Sequence, residues 1–171
     1  MAAHAELRAA TAGDHEAVDA AFARFDLNDP ADYAGFLMAH ARALPAIEAA
    51  LSGFPTLPPM RPRRALLADD LARLGYPMPV AVEFTIPHDI ATAFGTAYVV
   101  EGSRLGGGLL ARRVGPGLPT AYLAAVHQPG EWRAFSQALD HAAGEAGAEW
   151  LDRSIAAARA VFRIYARAAG D

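Results

Sequence analysis

The sequence predicts an all-α protein, because helix formers dominate it and its apolar residues recur at helical spacing. Alanine, the residue with the highest helix propensity, occupies 42 of the 171 positions. Apolar side chains return every three or four positions along the longer segments. The segment VAVEFTI at 80–86 alternates like a strand but has no second strand to pair with, so we expect a loop. We therefore predict a single domain, residues 1–171, of six or seven helices.

Start and stop signals divide the first half of the chain. Asp29 is a good capping residue and Pro30 suits a first helical turn, so the second helix begins there. Pro45 lies inside this helix and is expected to bend or break it. The proline-rich segments 52–63 and 76–87 are expected to be loops. The helices are predicted at 4–22, 30–51, 64–74, 88–114, 120–126, 131–143 and 147–169.

Glycine- and proline-rich turns bound the later helices. Gly75 ends the third helix, and the segment 115–119 ends the fourth. A short fifth helix follows, and the turn at 128–130 separates it from the sixth. The last helix has an apolar stripe that includes Trp150 and Phe162, which predicts that it packs against the core.

The fourth predicted helix is unusual for its glycines, at positions 95, 102, 106, 107 and 108. Each glycine inside a helix costs about 0.5–1 kcal/mol relative to alanine. In a chain so rich in alanine, that cost calls for a reason. The glycines either allow neighbouring helices to approach closely or leave bare backbone to lie against a large planar ligand. The sequence leaves both explanations open.

Composition excludes several kinds of site. The chain has no cysteine, which excludes thiol catalysis, zinc fingers, iron–sulfur clusters and disulfides. All 15 cations are arginine, which excludes a Schiff-base or P-loop lysine. The net charge of −4 argues against a nucleic-acid partner, and no apolar run is long enough for a membrane span. The N-terminal segment lacks the apolar core of a signal peptide, so we expect a cytoplasmic protein.

His15 is the candidate ligand among the six histidines, none of which forms an HxxxH or HxH pair. It lies on the apolar face of the first helix, with Asp19 one turn later and Arg8 two turns earlier. This arrangement suits a metal-binding histidine, a carboxylate that orients it and a cation for an anionic group. It equally suits a partly buried histidine with a helix-surface ion pair. Taken together with the glycine-rich helix, the first interpretation suggests heme.

The chain resembles the heme oxygenase family, and within it the bacterial branch often found beside bacteriophytochromes. The resemblance lies in LRAATAGDHEAVD at 7–19, FLMAHARALPAIEAAL at 36–51 and AYVVEGSRLGGGLLARR at 97–113. It implies the all-α heme oxygenase fold, with heme held between the first helix and a glycine-kinked distal helix. It also implies that heme b, at once cofactor and substrate, is cleaved with O2 and electrons to biliverdin, CO and Fe²⁺.

The resemblance assigns binding roles to five residues. His15 matches the proximal iron ligand, and Asp19 matches the acid that supports it. Arg8 matches a basic residue that holds a heme propionate, and Tyr98 and Arg133 are further propionate partners by the same alignment. Arginine suits this task because its planar guanidinium binds both oxygens of a carboxylate.

The resemblance also assigns catalytic roles on the distal helix. Gly102, Gly106 and Gly107 match the glycines that lie over the heme. Ser103 stands where the animal enzymes have an aspartate that orders water beside bound oxygen. Proton delivery would then involve Ser103, Arg104 or a chain of waters.

No flavin motif is present, so the resemblance implies a ferredoxin or reductase as electron donor and a bacteriophytochrome as an acceptor of biliverdin. Two other functions stay open. The chain could be a heme-binding or heme-sensing protein without turnover, which the serine at position 103 motivates. It could also be a helical interaction module that has kept the fold and lost the ligand.

Overall fold

The computed structural model describes residues 2–170 and places eight helices in that range. They are α1 (Ala3–Ala10), α2 (Ala12–Phe22), α3 (Pro30–Leu51), α4 (Arg64–Arg73), α5 (Ile90–Ala111), α6 (Ala121–Ala124), α7 (Glu131–Ala146) and α8 (Ala148–Gly170). No strand occurs between residues 2 and 170, which confirms the all-α class and the loop expected at 76–87. None of the helices in this range is long and apolar enough to cross a lipid bilayer.

The single first helix predicted at 4–22 is wrong, because Thr11 separates α1 from α2. Thr11 is buried, and its hydroxyl donates to the carbonyl of Leu7 at 2.8 Å. Its own backbone leaves the helical region at φ −107° and ψ 5°. A threonine hydroxyl that bonds to a carbonyl one turn earlier competes with the helix ladder and often bends it. Residues 2–170 therefore contain eight helices, where the sequence predicts six or seven.

Helix α3 has the bounds that the sequence predicts, Pro30–Leu51. The Asp29 carboxylate accepts bonds from the amides of Ala31 and Asp32, both at 2.9 Å. The helix continues through Pro45, so the break expected there is not found. Residues on both sides of Pro45 are fully buried, including Ile47. Tertiary packing along this face outweighs the backbone bond that proline cannot make.

Helix α8 is the centre of the fold, since α1, α2, α3, α5 and α7 all pack against it. The contact with α5 is close at Gly95, where a Cβ atom would overlap the backbone carbonyl of Ser154. Helices α2 and α5 each lie on α8, and neither uses the other as its main support. Helix α8 therefore supports both the helix that carries His15 and the helix that carries the distal glycines.

Buried polar groups position the short helix α6 beside α5. The Asp70 carboxylate, fully buried, accepts bonds from the amides of Ala121 at 3.2 Å and Tyr122 at 2.8 Å. The Tyr33 hydroxyl donates to the carbonyl of Pro119 at 2.8 Å. The two bonds to the Asp70 carboxylate satisfy the first amides of α6, which an isolated four-residue helix would leave unpaired.

Candidate functional site

His15 lies on an open surface of α2, a helix with no buried residue. Its side chain is 62% exposed, and its Nδ1 lies 3.2 Å from a carboxylate oxygen of Asp19. The edge of its ring meets Phe162 of α8, with 5.7 Å between the ring centroids. Its Nε2 makes no hydrogen bond within residues 2–170. One ring nitrogen is therefore held by a carboxylate, and the other is available to a ligand.

Arg159 of α8 contacts both the end of α1 and the start of α2. The Arg159 guanidinium lies 3.5 Å from the Asp14 carboxylate, and it donates to the carbonyl of Ala10 at 2.8 Å. Together with the ring contact of His15, these bonds hold α2 where its own side chains bury little surface. The position of His15 therefore depends on α8 as much as on α2.

Helix α5 carries an apolar face that is open to solvent. Gly102, Leu105, Gly106 and Leu109 share this face, because they are spaced by three or four residues, and we call them the open strip. Leu105 is 54% and Leu109 is 62% exposed. A Cβ atom built on Gly106 would meet nothing within 4 Å, and one on Gly102 would meet only the Trp132 ring at 3.8 Å. The open strip is thus apolar and has bare backbone at two positions one turn apart.

Gly107 does not belong to the open strip, although the sequence assigned it there. A Cβ atom on Gly107 would lie 2.6 Å from the carbonyl oxygen of Leu123, far closer than real Cβ contacts. The reason is geometric, since one residue turns the helix by about 100° and points Gly107 at α6. Gly107 therefore serves the contact between α5 and α6. The close-packing explanation therefore applies to Gly107, and the planar-ligand explanation stays a prediction for Gly102 and Gly106.

Arg104, one of the three proton sources that the sequence left open, is also turned away from the open strip. Its side chain is 2% exposed, and its Nε lies 3.1 Å from the Glu101 carboxylate. Its Nη1 donates to the carbonyl of Ala125 at 2.9 Å, and its Nη2 donates to the carbonyl of Arg61. Burial, and then the nearby charge of Arg63, lowers the pKa of Arg104. The guanidinium ties the loop before α4 and the end of α6 to α5.

The Ser103 hydroxyl is engaged within the protein. It donates to the carbonyl of Val100 at 2.6 Å and accepts a bond from the Nη2 of Arg63 at 2.7 Å. With its proton directed at a carbonyl of its own helix, Ser103 is not placed as a direct proton donor to the open strip.

The structure brings two of the three predicted propionate partners together. The charge of Arg8, on α1, acts on the Tyr98 hydroxyl of α5. Burial raises the pKa of Tyr98, and Arg8 opposes that rise. The Tyr98 ring lies 5.9 Å from the ring of Trp132. Arg133 follows Trp132 on α7, is exposed, and makes no side-chain bond within residues 2–170.

Arg63 is a residue that the sequence analysis missed. It is buried, and its Nη2 donates to the carbonyl of Val100 at 2.9 Å as well as to Ser103. Its backbone amide donates to the Glu48 carboxylate at 2.7 Å. Nothing in the run RPRR at 61–64 distinguishes this arginine from its exposed neighbours. The signal lies in contacts between segments about 40 residues apart, which a local pattern does not contain.

His40 is a second residue, after Arg63, whose surroundings the sequence did not indicate. Its Nδ1 lies 2.8 Å from the Tyr122 hydroxyl, and four aromatic rings surround it. Those rings belong to Phe22, Phe36, Tyr122 and Tyr165. Burial, assisted by the charge of Arg63, lowers the pKa of His40 to about 3. The imidazole is therefore neutral at physiological pH.

No protein-family model matches this chain. A curated relative named heme oxygenase, from Xanthomonas campestris pv. campestris (strain 8004), is 35% identical over 145 residues, which cover 78% of this chain and 86% of the relative. Among solved structures, the NO- and CO-bound heme oxygenase from Neisseria meningitidis matches with a TM-score of 0.80. That match covers 99% of this chain and 90% of the other at 23% identity, so it shows the fold alone.

Proposed function

This chain belongs to the heme oxygenase family, and from that premise we propose that it cleaves heme b with O2 and external electrons to biliverdin, CO and Fe²⁺. The observation that carries the proposal is the open strip of α5. Exposed leucines flank bare backbone there, and no part of residues 2–170 covers them. An exposed apolar surface of this kind is typical of a ligand-binding face.

The residues fit heme in shape and in chemistry. Heme is a flat apolar ring with two carboxylates at its edge, so it needs a flat apolar surface and cations beside it. Gly102 and Gly106 present no side chain that would keep a ring away from the helix. Arg8, Tyr98 and Arg133 would hold the propionates, through two guanidinium groups and one hydroxyl.

His15 is the proposed iron ligand, through its Nε2. Bound heme supplies the iron that takes up O2 and the ring carbon that is oxidised. Asp19 beside Nδ1 would hold the imidazole in one tautomer and one orientation. An imidazole is the ligand proposed here, and a thiolate is not available because the chain has no cysteine.

The remaining residues of the site would shape the distal side. Leu105 and Leu109 would exclude water from the ring once heme covers them. Ser103 donates its proton to Val100, so we propose that protons arrive through water rather than directly from this hydroxyl. Arg104 would stabilise the packing of α5 on the side opposite the open strip.

The partners follow from the reaction and from the sequence. No flavin motif is present, so a ferredoxin or a reductase would supply the electrons. A bacteriophytochrome as acceptor of the biliverdin stays a prediction, as does the cytoplasmic location.

Spectra of the protein with one equivalent of hemin test the function. Reductant in air, with catalase present, should remove the Soret band and raise the broad red absorbance of biliverdin. A sharp Soret band that persists would support the alternative of a heme-binding protein without turnover, which the engaged Ser103 hydroxyl favours. No shift of the Soret band on addition of hemin would contradict both.

His15→Ala tests the ligand. Mutation of a group that merely orients a metal ligand lowers metal affinity or activity by about 10–100-fold. Loss of the ligand itself should therefore lower turnover by at least about 100-fold. Added imidazole should restore the spectrum in part. His141→Ala is the matched control, because His141 is an exposed histidine of α7 that pairs with Glu145 on the same helix. An unchanged ferric Soret band in His15→Ala without imidazole would sink the assignment.

A further inference from the structure

The loop between α6 and α7 contacts α5 where the open strip begins. His127 of this loop is 8% exposed, and its Nε2 lies 2.9 Å from the carbonyl oxygen of Glu101. A carbonyl only accepts hydrogen bonds, so Nε2 carries the proton and donates it. Glu101 is the residue immediately before Gly102, the first glycine of the open strip.

Two consecutive carbonyls of α5 accept bonds from outside the helix at this point. The Arg63 guanidinium donates to the carbonyl of Val100, and the His127 imidazole donates to that of Glu101. The two donors come from the start of α4 and from the loop before α7. The turn that leads into Gly102 is therefore held from two different elements.

Further contacts anchor the loop that carries His127. Arg61 pairs with Glu131 at 2.7 Å and donates to the carbonyl of Val126 at 2.9 Å. The His127 ring lies 5.7 Å from the ring of Trp132, the side chain nearest to Gly102. The Nδ1 of His127 is buried without a hydrogen bond, 3.6 Å and 3.5 Å from the carboxylates of Glu101 and Glu131. A loop fixed at both ends gives the imidazole a defined position from which to hold α5.

We propose that His127 is a positioning residue for heme cleavage, whose bond to Glu101 sets the position of Gly102 over the substrate. The inference rests on the proposed function for the substrate and on the contacts above for the bond. Helical glycines loosen the backbone, because they have no side chain to restrict it. The bare backbone of the open strip therefore needs support from outside the helix, and His127 supplies it at the residue before the first glycine.

The test compares His127→Leu, which removes the donor, with His127→Gln, whose amide nitrogen can occupy the place of Nε2. The first readout is amide hydrogen exchange of residues 98–108 in the heme-free protein. Exchange should rise by roughly fivefold in His127→Leu, as expected for the loss of one hydrogen bond, and return towards wild type in His127→Gln. His141→Leu, on the exposed face of α7, is the matched control and should leave exchange unchanged.

The second readout is the C–O stretching frequency of the ferrous heme–CO complex, which reports on the backbone beside the bound diatomic molecule. It should shift in His127→Leu and return in His127→Gln. Should His127→Leu fail to fold, His127→Asn replaces it, since its amide lies at the position of Nδ1 and should behave like leucine.

Equal exchange in wild type and His127→Leu would overturn the proposal, and so would a glutamine variant that behaves like leucine. A C–O frequency that is the same in all variants would show that the bond does not reach the substrate, which also contradicts it. If wild type fails to bind hemin, the proposed function is wrong and the catalytic part of this inference falls with it. The exchange data then still decide whether His127 holds α5.

Discussion

The packed side and the open side of α5 differ in what lies against their glycines. On the packed side, Gly95 meets the backbone of Ser154 and Gly107 meets that of Leu123, so a methyl group has no room at either. On the open side, a methyl group on Gly106 would enter empty space. Glycines of one helix thus serve helix packing at some positions and leave open space beside the backbone at others. The neighbour of each glycine decides its role.

The same contrast separates two histidines. His40 is enclosed by aromatic rings and bonded to the Tyr122 hydroxyl. His15 is exposed and has an Nε2 without a partner in residues 2–170. The first is satisfied by the protein, whereas the second is available for a group from outside. Substitutions of packed residues and of open residues should therefore have different consequences.

The largest effect is expected for Gly95→Ala. Its methyl group would overlap the Ser154 carbonyl, so α5 and α8 must separate at the centre of the fold. Overpacking of a core costs about 1–3 kcal/mol and occasionally more, and we expect about 3 kcal/mol here. The free energy of unfolding from urea titration measures it. Gly107→Ala should also lower the free energy of unfolding, by a smaller amount. A Gly95→Ala variant as stable as wild type would contradict the tight contact between Gly95 and Ser154.

His40 should make stability depend on pH. Its pKa is lowered to about 3, so between that value and the ordinary one near 6.5 only the unfolded chain binds the proton. The free energy of unfolding should therefore fall as the pH decreases from about 6.5, by about 1.4 kcal/mol per unit. Between pH 6.5 and about 5, above the range in which carboxylates titrate, His40→Gln should reduce this slope. Urea titrations across that window measure it.

The control for this pH dependence is His141→Gln, which alters an exposed histidine and should keep the wild-type slope. Equal slopes for wild type and His40→Gln would mean that the imidazole can accept a proton in the folded protein.

The smallest change in stability, and one of opposite sign, is expected for Gly106→Ala. The methyl group meets nothing, so only helix propensity changes, and the protein should gain about 0.5–1 kcal/mol. The same methyl group stands where the ring is proposed to lie, so hemin affinity should fall. Thermal unfolding and hemin titration give the two quantities. A variant that is more stable and binds hemin as tightly as wild type would show that hemin does not bind at the open strip.

Local signals were enough to predict most helices and the pairing of His15 with Asp19. The cap at Asp29 and the apolar spacing act over one or two turns, which a sequence displays directly. The break at Thr11 was not predictable in this way, because threonine falls on the apolar stripe like any helical residue. Its effect comes from the bond of its hydroxyl to Leu7, which the spacing does not reveal.

The parts of the site that the sequence missed all depend on distant segments. Gly107 and Gly106 are identical in sequence terms, and only the position of Leu123 distinguishes them. Arg104 follows a serine in a run that matches the family, yet its partners lie before α4 and after α6. His127 bonds to a carbonyl 26 residues away. Such roles require the folded arrangement, because no short pattern encodes which segment will be the neighbour.

The central position of α8 affects the order in which the protein can fold during translation. The ribosome makes α8 after the other seven helices, yet α2 rests on it through Phe162 and α5 through Ser154. Until α8 emerges, α2 and α5 lack the helix against which they pack. Their contacts with α8 join segments far apart in the sequence. The proposed heme site, which needs both α2 and α5, is therefore completed only after synthesis has passed α8, so the order of the helices in the gene determines when that site forms.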